Sequence, residues 1–154
     1  MPRPMRRNDR ALTAEQAAEI LQNGEYGILS TVSSDGQPYG VPVSYAFGGN
    51  ALYFHCAVEG HKLDNLTANP RVSFCVVGAT EVLPSQFATR YESAIIFGQA
   101  CELTGDEKHA GLTELLKKYS ADFMEKGGKY IDSDIEKTRV FKIDIESISG
   151  KARR

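Results

Sequence analysis

The residues best equipped for chemistry lie in FHCAVEGHKLDNLTANP, residues 54–70, where His55, Cys56, His61 and Lys62 fall close together. From Gly60 onward this run reads as a short helix. Leu63 and Leu66 supply an apolar stripe and Gly60 permits a sharp turn into it. Asn69-Pro70 ends it, because the residue before a proline is pushed out of the helical region. His61 and Lys62 then occupy the first turn, where free N–H groups and the helix dipole already make the end electropositive. Cations there are disfavoured by a few tenths to about 1 kcal/mol. The placement becomes favourable once a phosphate lies between the donors, since a glycine-led helix start suits anions and charge-assisted hydrogen bonds are strong. A solvated Lys62 offset by Glu59 or Asp64 is the competing explanation, and from the physics of this segment the two stand level.

A second feature lies upstream. In GVPVSYAF, residues 40–47, Val41, Val43, Tyr45 and Phe47 share one face of a strand, and Gly40, Pro42, Ser44 and Ala46 share the other. A proline cannot donate to a sheet ladder, so Pro42 belongs at an edge or a bulge. The small-residue face offers a shallow surface on which a flat ring could lie, although a proline also protects an edge strand against aggregation. Together the two features describe a site for a flat heteroaromatic compound with a phosphate tail. His55 is the one candidate for proton transfer, provided it approaches the ring; a histidine at a strand end is more often a hydrogen-bond partner. Cys56 reads as a packing residue or weak ligand contact rather than a nucleophile. His55, Cys56 and His61 lack the CxxC or HxxxH spacing of a metal centre, so no metal is expected.

The elements that must position these residues follow from patterning. Thr13-Ala14-Glu15-Gln16 has the form of a capping box opening a helix that stops at Gly24. Residues 26–56 read as three strands joined by turns at Ser34-Asp35-Gly36 and Gly48-Gly49-Asn50. Residues 71–77 form a fourth strand, a polar loop runs to about Tyr91, and residues 93–103 form a fifth. Thr104-Gly105-Asp106-Glu107 repeats the capping-box form. Leu112, Leu115, Leu116 and Tyr119 then follow at helical spacing to about Ser120. Gly127-Gly128 reads as a break within residues 121–138. The last strand alternates Phe141, Ile143 and Ile145 against Lys142, Asp144 and Glu146, then shifts phase at Ile148, which predicts a bulge. Six closely spaced strands predict a mainly β, α+β fold, an antiparallel barrel with flanking helices. One domain spans residues 1–154, with 1–10 as a flexible N-terminal arm.

Composition narrows the classes of function. The chain has 154 residues, 42% hydrophobic, with 18 basic and 20 acidic side chains and a formal charge of −2. That suits one packed domain and gives no global field for nucleic acid or an anionic membrane. The terminal basic residues, among them Arg3, Arg6, Lys151 and Arg153, read as solvated tails. No apolar run approaches the roughly 20 residues of a membrane span, and no secretory signal is expected from the polar start. With three cysteines, Cys56, Cys75 and Cys101, all in apolar strand-like contexts, a reducing cytoplasmic location is expected.

Four segments carry a resemblance: GILSTVSSDGQPYGVPVSYAF, LYFHCAVEGHKLDNLTANPRVSF, YESAIIFGQACEL and KIDIESISGKARR. Over about residues 6–154 the chain resembles the pyridoxamine 5′-phosphate oxidase-related flavoproteins of the split β-barrel superfamily, nearest their nitroimidazole-reductase-like (Nim) subgroup. The resemblance implies a six-stranded split barrel that binds FMN at the interface of a homodimer. Val41, Pro42, Val43 and Ser44 would lie along the isoalloxazine ring, and His55 and Cys56 near the ribityl chain and phosphate. Gly60, His61 and Lys62 would take the phosphate, and Tyr91 and Ser93 would close the site from the other subunit. The sequence departs from the oxidase proper at Gly40 and Tyr45, where that enzyme has an arginine and a lysine, and in SGKARR, which lacks its substrate-binding arginine and histidine segment. The resemblance therefore implies an FMN-dependent oxidoreductase acting on nitroaromatic or other small substrates, not pyridoxamine phosphate oxidation. Two alternatives stay open: a non-catalytic flavin-binding or sensor module, and a haem-handling barrel with His55, His61 or His109 as the iron ligand. A deazaflavin in place of FMN is also compatible.

Overall fold

Alternating apolar residues assemble a single antiparallel sheet in the computed structural model, which describes residues 2–154. Its strands are β1 (Ala11–Leu12), β2 (Gly27–Val32), β3 (Pro38–Val43), β4 (Ala46–Gly48), β5 (Ala51–Cys56), β6 (Arg71–Leu83), β7 (Ala88–Leu103) and β8 (Arg139–Arg153). They run in the order β3-β2-β6-β7-β8-β5-β4, and the two-residue β1 pairs with β8. Helices α1 (Ala14–Asn23), α2 (His61–Ala68), α3 (Gly105–Tyr119) and α4 (Met124–Asp134) flank the sheet. Leu29, Phe54, Phe74, Ile96 and Ile143 are fully buried on its inner face, and Ile20 and Leu21 of α1 pack into the same core. Among the described residues, no helix is long and apolar enough to cross a membrane.

The fold is mainly β with added helices, but the six-stranded barrel is corrected to a path of seven strands plus β1, left unclosed between β3 and β4. The extra strand arises where residues 40–47 divide. Tyr45 is fully buried and its hydroxyl donates to the Leu21 carbonyl at 2.5 Å. Its N–H donates to the Tyr119 hydroxyl at 3.0 Å, and its carbonyl accepts from Lys118 Nζ at 2.8 Å. The Tyr45 peptide groups are thus taken by side chains of α3, so a continuous ladder gives way to β3 and β4. Ala46, expected on the small exposed face, is buried; the exposed face consists of Gly40, Pro42 and Ser44.

Other differences have local causes. The polar loop expected before Tyr91 is a ribbon in which β6 and β7 stay paired to Leu83↔Ala88, with an irregularity between Val77 and Thr80. It projects past the core, so its strands lack the one-sided apolar alternation that marks a half-buried strand. Gly127 does not break α4: a Cβ there would overlap the Leu116 side chain, and the bare glycine lets α4 lie against α3. Thr104 stands at the N-cap of α3 but makes no side-chain cap bond, whereas Thr13 and Gln16 complete both bonds of the expected box, at 3.2 and 2.9 Å. The bulge in β8 falls between the pairs Phe97↔Ser147 and Gly98↔Ile145. Beyond it the strand runs on, with Lys151 paired to Ser93 and Arg153 to Tyr91, so these basic residues are part of the sheet rather than a loose tail.

Candidate functional site

Gly60 precedes α2 with φ 149°, a backbone conformation that side chains rarely adopt, and no side chain caps the helix. The first intrahelical bond runs from the Asp64 N–H to the Gly60 carbonyl at 3.1 Å, so the N–H groups of residues 61–63 have no partner within the helix. Buried Leu63 and Leu66 anchor α2. Asn65, also buried, donates to the Thr31 hydroxyl of β2 at 3.0 Å. The His61 ring stacks on Tyr39 of β3, with centroids 4.0 Å apart and planes 28° from parallel. The basic helix start and the proline-bearing strand therefore meet directly.

β3 is an edge strand, hydrogen-bonded to β2 alone, with Pro42 opposite Ile28. At an edge, the missing N–H of Pro42 need cost no ladder bond. Val41 and Val43 pack against the core, while Gly40, Pro42 and Ser44 remain exposed. The exposed face continues across the sheet through the row Pro42, Ile28, Cys75 and Ile95. Ile95 is 40% exposed, Phe97 42% and Val77 58%, an outward apolar surface beside the thinly clothed strand. Tyr91 and Ser93 lie on β7, three strands from β3, roughly 14 Å at ~4.8 Å per strand spacing. One chain does not bring them beside Pro42 and the start of α2.

At the end of β5, Lys62 places its charge near both His55 and Cys56. The His55 side chain is open to solvent on one side, yet enough protein surrounds the imidazole to hold its pKa below the ordinary value, and Lys62 adds to the depression. His55 is therefore neutral at pH 7 and able to donate and accept. Burial pushes the Cys56 thiol up, against the opposing pull of Lys62 and Arg139, which leaves a packed thiol rather than a nucleophile. The Cys56 carbonyl accepts from Thr138 at 3.0 Å. His109 is apart from this group, facing Asp132 at 3.1 Å between α3 and α4. Among the described residues, no cluster of three or more His, Cys, Asp or Glu side chains could hold a metal ion.

Ser44 and His55, placed by the sequence at different parts of one ligand, open into a common cleft of about 650 Å³ walled by α3 and α4. Sequence reasoning missed several members of this neighbourhood. Tyr119 looked like one more apolar position of α3, but its hydroxyl accepts from the Tyr45 N–H and donates to the Glu25 carbonyl at 2.5 Å. Lys118, which carried no signal at all, lies 3.6 Å from the Tyr45 ring centroid, and burial pushes its pKa down to about 8. Tyr39 carried a signal only in hindsight, as an aromatic on the strand that faces the helix start.

An edge strand laid beside a basic, glycine-led helix start, in an open antiparallel sheet flanked by helices, is the arrangement this fold presents. The chain belongs to the pyridoxamine 5′-phosphate oxidase family, whose family model matches residues 13–152. A candidate 5-nitroimidazole antibiotic resistance protein from Bacteroides thetaiotaomicron shares the fold, with TM-score 0.81 and 21% identity over 92% of this chain and 86% of that one. A FAD-binding protein from Mesorhizobium loti is 26% identical, with TM-score 0.68 and coverage of 94% and 98%. A FAD and haem binding protein from Mycobacterium smegmatis has TM-score 0.77 at 20% identity, over 92% of this chain and 72% of its own. An uncharacterized protein of Rhizobium meliloti (strain 1021) is 26% identical over 153 residues, 93% of this chain and 94% of its own length.

Proposed function

We propose that this protein is an FMN-dependent oxidoreductase that works as a homodimer on small organic substrates. The observation that carries the reading is the direct meeting of α2 and β3 through the His61–Tyr39 stack, which sets an uncapped, basic helix start beside the edge strand whose other face, at Gly40, Pro42 and Ser44, is exposed. The donor set fits the nucleotide. Lys62, His61 and the free N–H groups of α2 would neutralise and hold the phosphate, and the backbone around Pro42, Val43 and Ser44 would orient the ring. Bound there, the flavin would supply reversible electron transfer, the protein contributing position and electrostatics. Neutral His55 would serve as a hydrogen-bond partner and could hold or pass a proton at its ring nitrogen.

The dimer follows from the same face. Ile95, Phe97 and Val77 expose apolar surface continuous with β3, and a second copy covering it would bring its Tyr91 and Ser93 towards Pro42. Three free thiols suit a reducing, cytoplasmic compartment. The choice of FMN rests on a phosphate held directly at α2; the Mesorhizobium loti relative is named for FAD, so the length of the tail is open to test. The purified protein is expected to be yellow, to release FMN in a 1:1 ratio per chain on denaturation, and to sediment as a dimer at micromolar concentration. Release of FAD would overturn the FMN assignment. A Soret band without flavin absorption would replace the reading with haem handling, and flavin that no reductant or acceptor turns over would leave a binding module.

A further inference from the structure

The cleft between α3, α4 and the end of β5 is not accounted for by a phosphate at α2 and a ring on β3. Its walls are apolar and aromatic, with Leu112, Leu116, Phe123, Tyr130 and Ile131 contributing. Phe123 and Tyr130 are 63% and 68% exposed, large aromatic surfaces turned towards open space rather than into the core. Exposed aromatics that share one concave surface mark a place for a ligand more than a requirement of folding. Charged groups at the same cleft are Lys126, Lys137 and Asp134. Lys137 pairs with Asp134 at 3.8 Å, whereas no ion pair is found for Lys126 among the described residues. With His55 neutral and Lys62 close behind it, the cleft carries a net positive charge.

We propose that this cleft binds the organic reaction partner of the flavin, and that the partner is a planar aromatic anion, such as an aromatic carboxylate, with its ring against Phe123 and Tyr130 and its charge towards Lys126. The volume of about 650 Å³ accommodates one or two fused rings with room for water. Ser44 and His55 line the cleft, so a ligand there would lie beside residues proposed to hold the flavin. The electron-transfer role rests on the flavin reading; the binding of the anion does not.

The test uses 2-naphthoate and its uncharged counterpart 2-naphthylmethanol, titrated by calorimetry into the full-length protein as purified. 2-Naphthoate is expected to bind at least tenfold more tightly than the alcohol. Lys126→Glu should abolish that preference while flavin content stays at the wild-type level. Phe123→Ala combined with Tyr130→Ala should weaken both ligands about tenfold. If the two ligands bind equally, or if naphthoate binding is indifferent to these substitutions, the anion site is refuted. Naphthoate is also expected to perturb the visible flavin band. Tight binding with no perturbation would place the ligand away from the ring and overturn the partner role. Tight binding to a protein without flavin would leave the cleft standing and defeat the flavin reading instead.

Discussion

Replacing Lys62 by alanine isolates the phosphate contact, because the side chain is half-buried at the uncapped start of α2 and no ion pair engages it among the described residues. Two unit charges about 4 Å apart at an effective dielectric of ~20 interact by roughly 4 kcal/mol. Part of that is offset by desolvation of the ammonium and the phosphate, and a hydrogen bond to a charged group contributes ~1.5–3 kcal/mol net. Lys62→Ala should therefore weaken FMN binding about 10- to 150-fold, with a smaller loss at high salt. Quenching of flavin fluorescence on adding FMN to flavin-free protein measures this. Riboflavin, which has the ring and ribityl chain but no phosphate, is the control and should bind both proteins equally. Lys62→Arg should retain most of the affinity. The flavin-free variant offers a separate readout: without the nearby cation the His55 pKa should rise towards its ordinary value, visible as a shift in the imidazole NMR titration. If the ratio of FMN to riboflavin affinity is the same in wild type and Lys62→Ala, the phosphate does not lie at α2 and the site has been misread.

Three further substitutions test the framework around the site. Burial lowers the Lys118 pKa from 10.5 to about 8, so the unfolded chain holds this proton more tightly than the folded one. The stabilising effect of the neutral amine is complete above pH 10.5 and is lost as pH falls to 8. Relative to Lys118→Met, wild-type stability in urea should therefore rise between pH 8 and pH 10, by about 1 kcal/mol after allowance for solvent screening; a flat difference would show that the ammonium is not desolvated. The two glycines of α4 should respond oppositely to alanine. Gly127→Ala collides with Leu116 and should destabilise by ~1–3 kcal/mol, while Gly128→Ala meets nothing within 4 Å and should stabilise by ~0.5–1 kcal/mol. Equal effects in thermal unfolding would mean that α4 does not pack on α3 as described.

Thr13 and Gln16 cap α1, Gly60 opens α2, and Asn69-Pro70 closes it, each through atoms only a few residues apart. Such bonds and backbone limits act within one turn of chain, so residue order is enough to set them, and the basic pair at a helix start was legible for the same reason. Pro42 similarly announced an edge strand. The division of that strand was not legible, because the groups that capture the Tyr45 peptide come from Tyr119, 74 positions away, and from its neighbour Lys118. Nor could the chain order show that Tyr39 would lie under His61, that Gly127 would seat Leu116, or that Ser44 and His55 would open into one cleft beneath α3 and α4. These depend on which surfaces the folded sheet and its helices bring within van der Waals reach, and free energy at that range is decided by packing between distant segments rather than by the preferences of any one of them.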